Sequence, residues 1–259
     1  MTLLGSEFAR RVGDAVEAGR LSRLDPVRLA RLRAGETRLE IAAGSLLPQP
    51  CDEPHLGLVV DGAFRVSIAG PDGRLLTIRY LRPGDLIGAP SIFGRAAAIA
   101  DFRAVVDTSV LLFDVDRVTD LAGTDPSVAL MLADELAVML RIAVGELAAM
   151  AFEPVRRRVA RHLLDLAIDR DKAIHPAAPR ARVARVTQQE LAEAVGSVRE
   201  VVARVLRQLR DDGVIETGAA GIVVLDPARL CDAAAVPPSV GRALDPSPPV
   251  SLRIARASA

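Results

Sequence analysis

The alternation of apolar and polar positions changes period twice along the chain. Residues 6–34 read as short helices. Asp25-Pro26 is a helix start, with Asp able to cap and Pro suited to the first helical position. Leu24, Val27, Leu29 and Leu32 then supply apolar contacts. From Thr37 to Val115 the pattern becomes short β-rich runs: TRLEIAAG, LGLVVDGAFRVSI, RLLTIRYLRPGDLIG and FRAVVDTSVLLFD. Asp61-Gly62 reads as one hairpin turn and GPDG at 70–73 as another. Many short strands at this spacing predict a small antiparallel barrel or sandwich.

At Asp125-Pro126 the helical period returns. Leu132, Leu136, Met139, Ala143, Leu147 and Met150 recur close to a heptad, which predicts a long helix carrying a dimer seam. A second apolar strip (Val128, Leu140, Val144) gives the helix one face for the roll and one for a partner helix. Pro154 places a hinge near 151–155. A short helix from Val155 to Ile168, a loop over 169–182 and a short strand from Arg182 to Val186 are expected next. The expected division is 1–124 for N-terminal helices and a sensor roll, 125–152 for the long dimerisation helix, and 153–230 for a DNA-binding domain. Residues 231–259 are rich in Pro, Ala and Ser without periodicity, the composition of a disordered tail. The expected fold class is α+β.

The most informative stretch is VTQQELAEAVGSVREVVARVLRQLRDDGVIE, Val186 to Glu216. Thr187 and Glu190 have capping-box spacing. Gly196 permits a sharp turn, and Ser197 is placed to cap a second helix. On a helical wheel Val198, Val201, Val202, Val205 and Leu209 share one side. Arg199, Glu200, Ala203, Arg204, Arg207 and Arg210 share the other. Gly213–Glu216, a turn over 217–221 and Ile222–Leu225 then form a β-hairpin, the wing of a winged helix-turn-helix. In a major groove Arg donates two hydrogen bonds to guanine, and Glu accepts one from cytosine. The first turns of the helix read bases, so Arg199, Glu200 and Arg204 are the candidates. Thr187, Gln188, Ser197 and Arg207 are placed for phosphates, which position without specifying.

Charge adds a mild pointer in the same direction. The formal net charge is zero, yet residues 1–152 sum to −4 and residues 153–230 to +3. Lys172 is the single lysine and aromatic residues are scarce, so the core is aliphatic and positive charge is arginine. Cys51 and Cys231 are too few for a disulfide framework or a four-thiolate iron–sulfur cluster, which fits a reducing cytoplasm. The N-terminus has no long apolar run, and the most apolar region, 128–152, is interrupted by charges, so neither a signal peptide nor a membrane span is expected. No metal-ligand cluster, nucleophile motif or Gly-rich phosphate loop is present, and an enzyme is not expected.

Together these segments, over roughly residues 20–230, resemble the Crp/Fnr family of bacterial transcription regulators. The resemblance implies a cyclic-nucleotide-binding-like antiparallel β-roll (jelly roll), a long dimerisation helix and a C-terminal winged helix-turn-helix. It implies double-stranded DNA, a second copy of the chain and RNA polymerase as partners. Arg199-Glu200 and Arg204 match the residues with which the cyclic-AMP receptor branch reads its half-site, implying a palindromic TGTGA-like site rather than a TTGAT-like one. The sensory half departs from the family. Its phosphate cassette resembles G-E-L-G followed by an Arg-Ser pair; here Gly84-Asp85-Leu86 opens the run and Ala98-Ile99 stands where Arg-Ser belongs. A cyclic phosphate needs a cation and aligned donors, and Arg95 and Arg103 are at the wrong spacing. Gly84, Asp85, Leu86 and Ile99 are therefore the candidate effector pocket, with cyclic AMP disfavoured. His55 and Cys51 either offer axial ligands to a haem or are ordinary surface side chains. Gating by another small effector and binding without any effector both stay open, as does a winged helix that contacts protein instead of DNA.

Overall fold

A computed structural model of the 259-residue chain describes residues 2–48, 54–71, 73, 75–94, 100–174, 182–184, 186–218 and 221–234. Of the expected tail, residues 231–234 are helical rather than disordered, because Leu230 and Ala234 anchor that turn in the core, and residues 235–259 lie outside the described residues, as does Cys51.

Three helical pieces lead in: α1 (Thr2–Ala18), a 3-10 turn (Arg20–Arg23) and α2 (Pro26–Arg33). The first is a single 17-residue helix, longer than the short pieces expected. Asp25 caps α2 by accepting from Arg28 N–H, with Pro26 in the first turn. The roll follows: β1 (Thr37–Ile41), β2 (Leu56–Asp61), β3 (Phe64–Ala69), β4 (Leu75–Leu81), β5 (Leu86–Ile87), α3 (Ala89–Gly94), β6 (Asp101–Ala104) and β7 (Thr108–Phe113). All pairings are antiparallel, in one sheet ordered β1-β7-β2-β5 and another ordered β4-β3-β6.

The sheets pack face to face over Val59, Phe64, Val66, Leu81, Ile87 and Phe102. On the outer face of the four-stranded sheet, Leu56, Leu58 and Leu111 meet the helical layer. Strand β2 is thus buried on both faces, which is why LGLVV is an unbroken apolar run. The GPDG turn does close a hairpin, β3 to β4. Asp61-Gly62 does not: β2 pairs with β5 and β7, while β3 belongs to the other sheet. The dipeptide is a corner between sheets, and Gly62 sits at φ 83° with a Cβ's space taken by Thr108. Local turn chemistry is the same for a hairpin and a corner.

Helix α4 (Val115–Thr124) leads to α5 (Pro126–Phe152), whose N-terminus is capped by Asp125. That carboxylate also takes Arg28 Nε at 2.8 Å, tying α2 to α5. Beyond Pro154 comes α6 (Val155–Ile174), six residues longer than expected. The run DRDKAI is polar but contains no Gly or Pro, so nothing local stops the helix at Ile168. Then follow β8 (Arg182–Ala184), α7 (Gln188–Ala194), α8 (Arg199–Asp211), β9 (Ile215–Gly218), β10 (Gly221–Val224) and α9 (Pro227–Ala234). The last three strands form a sheet ordered β8-β10-β9. A separate apolar core, including Val159, Leu163, Leu191, Val202, Leu206 and Ile222, holds this C-terminal unit together. The whole is mixed α+β. No described helix is long and apolar enough to cross a membrane.

Candidate nucleic-acid interface

The interface is built from α7, its turn, α8 and the β9–β10 hairpin. Thr187 opens α7 with a complete capping box: its Oγ1 accepts from Glu190 N–H, and Glu190 Oε2 accepts from Thr187 N–H at 2.8 Å. The Thr187 hydroxyl also donates to Glu190 at 2.9 Å, so its proton is committed to the cap rather than offered to a phosphate. Helix α7 ends with Ser197 N–H donating back to Ala192 O at 2.9 Å. Gly196 makes the turn at φ 60°, a left-handed conformation that disfavours a side chain.

The cap expected at Ser197 is not formed. Val198 is the residue before α8, and no side chain caps this end. Val198 is therefore 43% exposed rather than part of the inner face, and Leu206, 2% exposed, takes a place in the core. The wheel predicted the remaining partition: Val202, Val205 and Leu209 are buried, and Arg199, Glu200, Arg204, Arg207 and Arg210 are exposed. Arg210 is 3.8 Å from Asp211. Among the described residues, Arg199, Arg204 and Arg207 make no ion pair or side-chain hydrogen bond. Gln188 and Ser197 flank this face, exposed and half-exposed. Helix α8 thus presents three arginines whose donors have no partner among the described residues.

The long helix reads differently from its sequence. Leu132 is fully buried in the chain's own core, and Leu136 and Met139 pack against that core. Ala143 is half-buried, and Met150 lines a cleft facing α6. Only Leu147 of the expected seam is free, at 66% exposed. The outward strip is Leu130, Ala133, Ala137, Leu140, Val144, Leu147 and Ala151, all exposed and spaced alternately by three and four. Two heptad-like strips overlap in this helix, and the chain's own core takes the first half of the expected seam, Leu132, Leu136 and Met139.

The expected effector pocket is only partly assembled. Gly84 and Asp85 line a cavity of about 360 Å³ together with Arg20, Arg23, Arg79 and Glu135. Leu86 is in the core, and Ile99 lies outside the described residues. Gly84, at φ 98°, backs onto the end of α1, leaving no room for a side chain. The Asp85 carboxylate accepts from Arg82 N–H at 2.8 Å, and the Arg103 guanidinium donates to Gly44 O at 2.6 Å. The described part of the cassette thus offers the Asp85 carboxylate, and residues 95–99 lie outside the described residues. His55 is half-buried and its carbonyl accepts from Ser91 Oγ.

A winged helix-turn-helix with an open arginine face, joined by a long helix to a double-sheeted roll, defines a transcription-factor architecture. The profile for the Crp-like helix-turn-helix domain matches residues 157–233, and that for the cyclic nucleotide-binding domain matches residues 38–125. The cAMP-activated global regulator Vfr of Pseudomonas aeruginosa is 30% identical over 173 residues, 65% of this chain and 79% of Vfr. The regulator SdrP of Thermus thermophilus is 31% identical over 180 residues, 70% of this chain and 83% of SdrP. The solved structure of a CRP/FNR-family regulator, also from Thermus thermophilus, superposes with a TM-score of 0.63 at 28% identity, covering 76% of this chain and 98% of that one. The chain belongs to the Crp/Fnr family of transcription regulators.

Proposed function

We propose that the protein is a homodimeric regulator that reads a palindromic TGTGA-like site with α8 and is not gated by cyclic AMP. The observation that carries this reading is the row of exposed arginines, Arg199, Arg204 and Arg207, unpaired among the described residues, on a helix whose other face is core. Arg199 and Arg204, with Glu200, read base edges; Arg207, Gln188 and Ser197 fix the phosphate backbone. Thr187 acts one step back, by holding α7. The outward strip from Leu130 to Ala151 is the surface that pairs two copies, and pairing sets two recognition helices one helical turn of DNA apart. Ala98-Ile99, standing where the family's Arg-Ser pair belongs, and the engaged Arg103 support a trigger other than a cyclic phosphate.

The test is fluorescence anisotropy of the ligand-stripped protein on a palindromic TGTGA duplex and a scrambled control at two salt concentrations. Preference for the palindrome, with a steep salt dependence, is expected. Equal affinity for both duplexes would sink the half-site assignment. Binding insensitive to salt would sink the DNA-reading face itself.

A further inference from the structure

The roll and the C-terminal unit meet over a cleft that DNA reading does not use. Its volume is about 190 Å³, below the roughly 300–1,000 Å³ typical of drug-sized ligands, so it suits a compact metabolite. One wall is β4, with Thr77, Arg79 and Tyr80; the others are α5 and α6, with Glu146 and Arg158. The walls are joined by Tyr80 Oη and His162 Nε2, 3.0 Å apart, and by Arg82 donating to Asp165 O at 3.2 Å.

Its polar groups are unevenly satisfied. Thr77 is 5% exposed and its hydroxyl has no hydrogen-bond partner among the described residues. A buried hydroxyl left unpaired carries a desolvation cost that a ligand atom would relieve. Arg158 Nη1 donates to the carbonyls of Ala149, Met150 and Glu153, while its buried Nε has no partner. Its charge has no carboxylate within ion-pair distance among the described residues. Arg79 reaches Asp85 and Glu135 only at 3.7 and 4.0 Å, the limit of ion pairing. Arg161 is the contrast, held by Glu153 at 2.8 Å and Glu146 at 3.5 Å. Burial raises the Glu146 carboxyl above the usual carboxylate range, while Arg161 opposes that shift. His162 is neutral, its pKa lowered to about 4 by burial first and then by Arg65 and Arg161.

We infer that this cleft binds a small oxyanion, a carboxylate or phosphate on a compact metabolite, between Arg79 and Arg158 with the Thr77 hydroxyl as a third donor. Because the site has one wall on the roll and one on the DNA-binding unit, its occupant biases their docking and serves as the effector. The effector role rests on the proposed DNA reading; the binding site does not.

Tyr80 is the single tyrosine and the chain has no tryptophan, so intrinsic emission reports this cleft alone. The full chain is titrated with inorganic phosphate, malonate and succinate at constant ionic strength, with chloride as control. A saturable emission change is expected, half-complete below about 1 mM. Response to phosphate alone assigns a phosphate source, and response to the dicarboxylates alone assigns a carboxylate. Thr77→Val, nearly isosteric, and Arg79→Gln should each weaken binding about tenfold while circular dichroism and thermal midpoint stay near the parent's. No saturable response to any anion, or folded variants that bind as tightly as the parent, would overturn the site. Anisotropy on DNA with the bound probe should shift at least threefold; emission that saturates while DNA affinity stays fixed would overturn the effector role and keep the site.

Discussion

Two leucines eight residues apart on α5 should behave in opposite ways. Leu132 is fully buried within one protomer, whereas Leu140 is 65% exposed there. Burying a whole Leu or Val side chain contributes about 1.5–3 kcal/mol. Leu130, Leu140, Val144 and Leu147 are 55–66% exposed, so covering them yields about 1–2 kcal/mol each. Over both protomers that is about 8–16 kcal/mol, against an association cost of about 4–15 kcal/mol. A dimer through this strip would therefore depend on nearly every one of its members. Leu140→Glu removes about 2–4 kcal/mol of burial across the two-fold and brings two carboxylates together. The dimer constant should fall at least thirtyfold, with an intact monomer fold. Leu132→Ala should instead cost about 2–5 kcal/mol of fold stability. Leu136→Glu, packed on the same core, should also unfold before it dissociates. Sedimentation velocity at several concentrations, with urea unfolding in parallel, separates the two effects. A Leu140→Glu protein that remains dimeric, or a folded monomer from Leu136→Glu, would refute the assignment of faces.

Arg204→Ala should lose about 1–3 kcal/mol on the specific duplex and relax preference at one base pair, whereas Arg207→Ala should weaken all sequences alike and lower the salt slope by about one; anisotropy on a panel of single-base variants distinguishes them. Thr187→Ala removes a capping box and should destabilise the C-terminal unit by about 1 kcal/mol in urea unfolding; an unchanged midpoint would mean the cap contributes nothing. His162 is neutral in the fold, with its pKa lowered from 6.5 to about 4. The unfolded chain takes up the proton first, so this contribution is fully present above about pH 6.5 and is lost as pH falls toward 4. The loss is about 3 kcal/mol. His162→Gln should show a shallower decline in urea midpoint over that window, and parallel curves would refute the burial argument.

Much of the architecture was legible in the chain because it rests on local chemistry. Asp25, Asp125 and Thr187 cap the helices they precede, and Pro at the first helical position follows two of them. The wing could be read because Gly and short β-branched runs alternate over Gly213–Leu225. The arginine face could be read because a helix fixes side-chain directions at every step. Ser197 misled because a capping residue type marks a helix start only to within one position.

Tertiary structure decided what local rules leave degenerate. Asp61-Gly62 turns the chain equally well into a hairpin or across to another sheet, and pairing of β3 with β6 chose the corner. Helix α5 carries two apolar strips, and only contact with the roll showed that Leu132 faces inward and Leu140 outward. The cleft between Thr77 and Arg158 joins residues 81 positions apart, a juxtaposition that no period or spacing encodes. Local propensity and periodicity are set by neighbours along the chain. Which of two equivalent faces is buried, and which distant charges are left unpaired, is set by packing between elements.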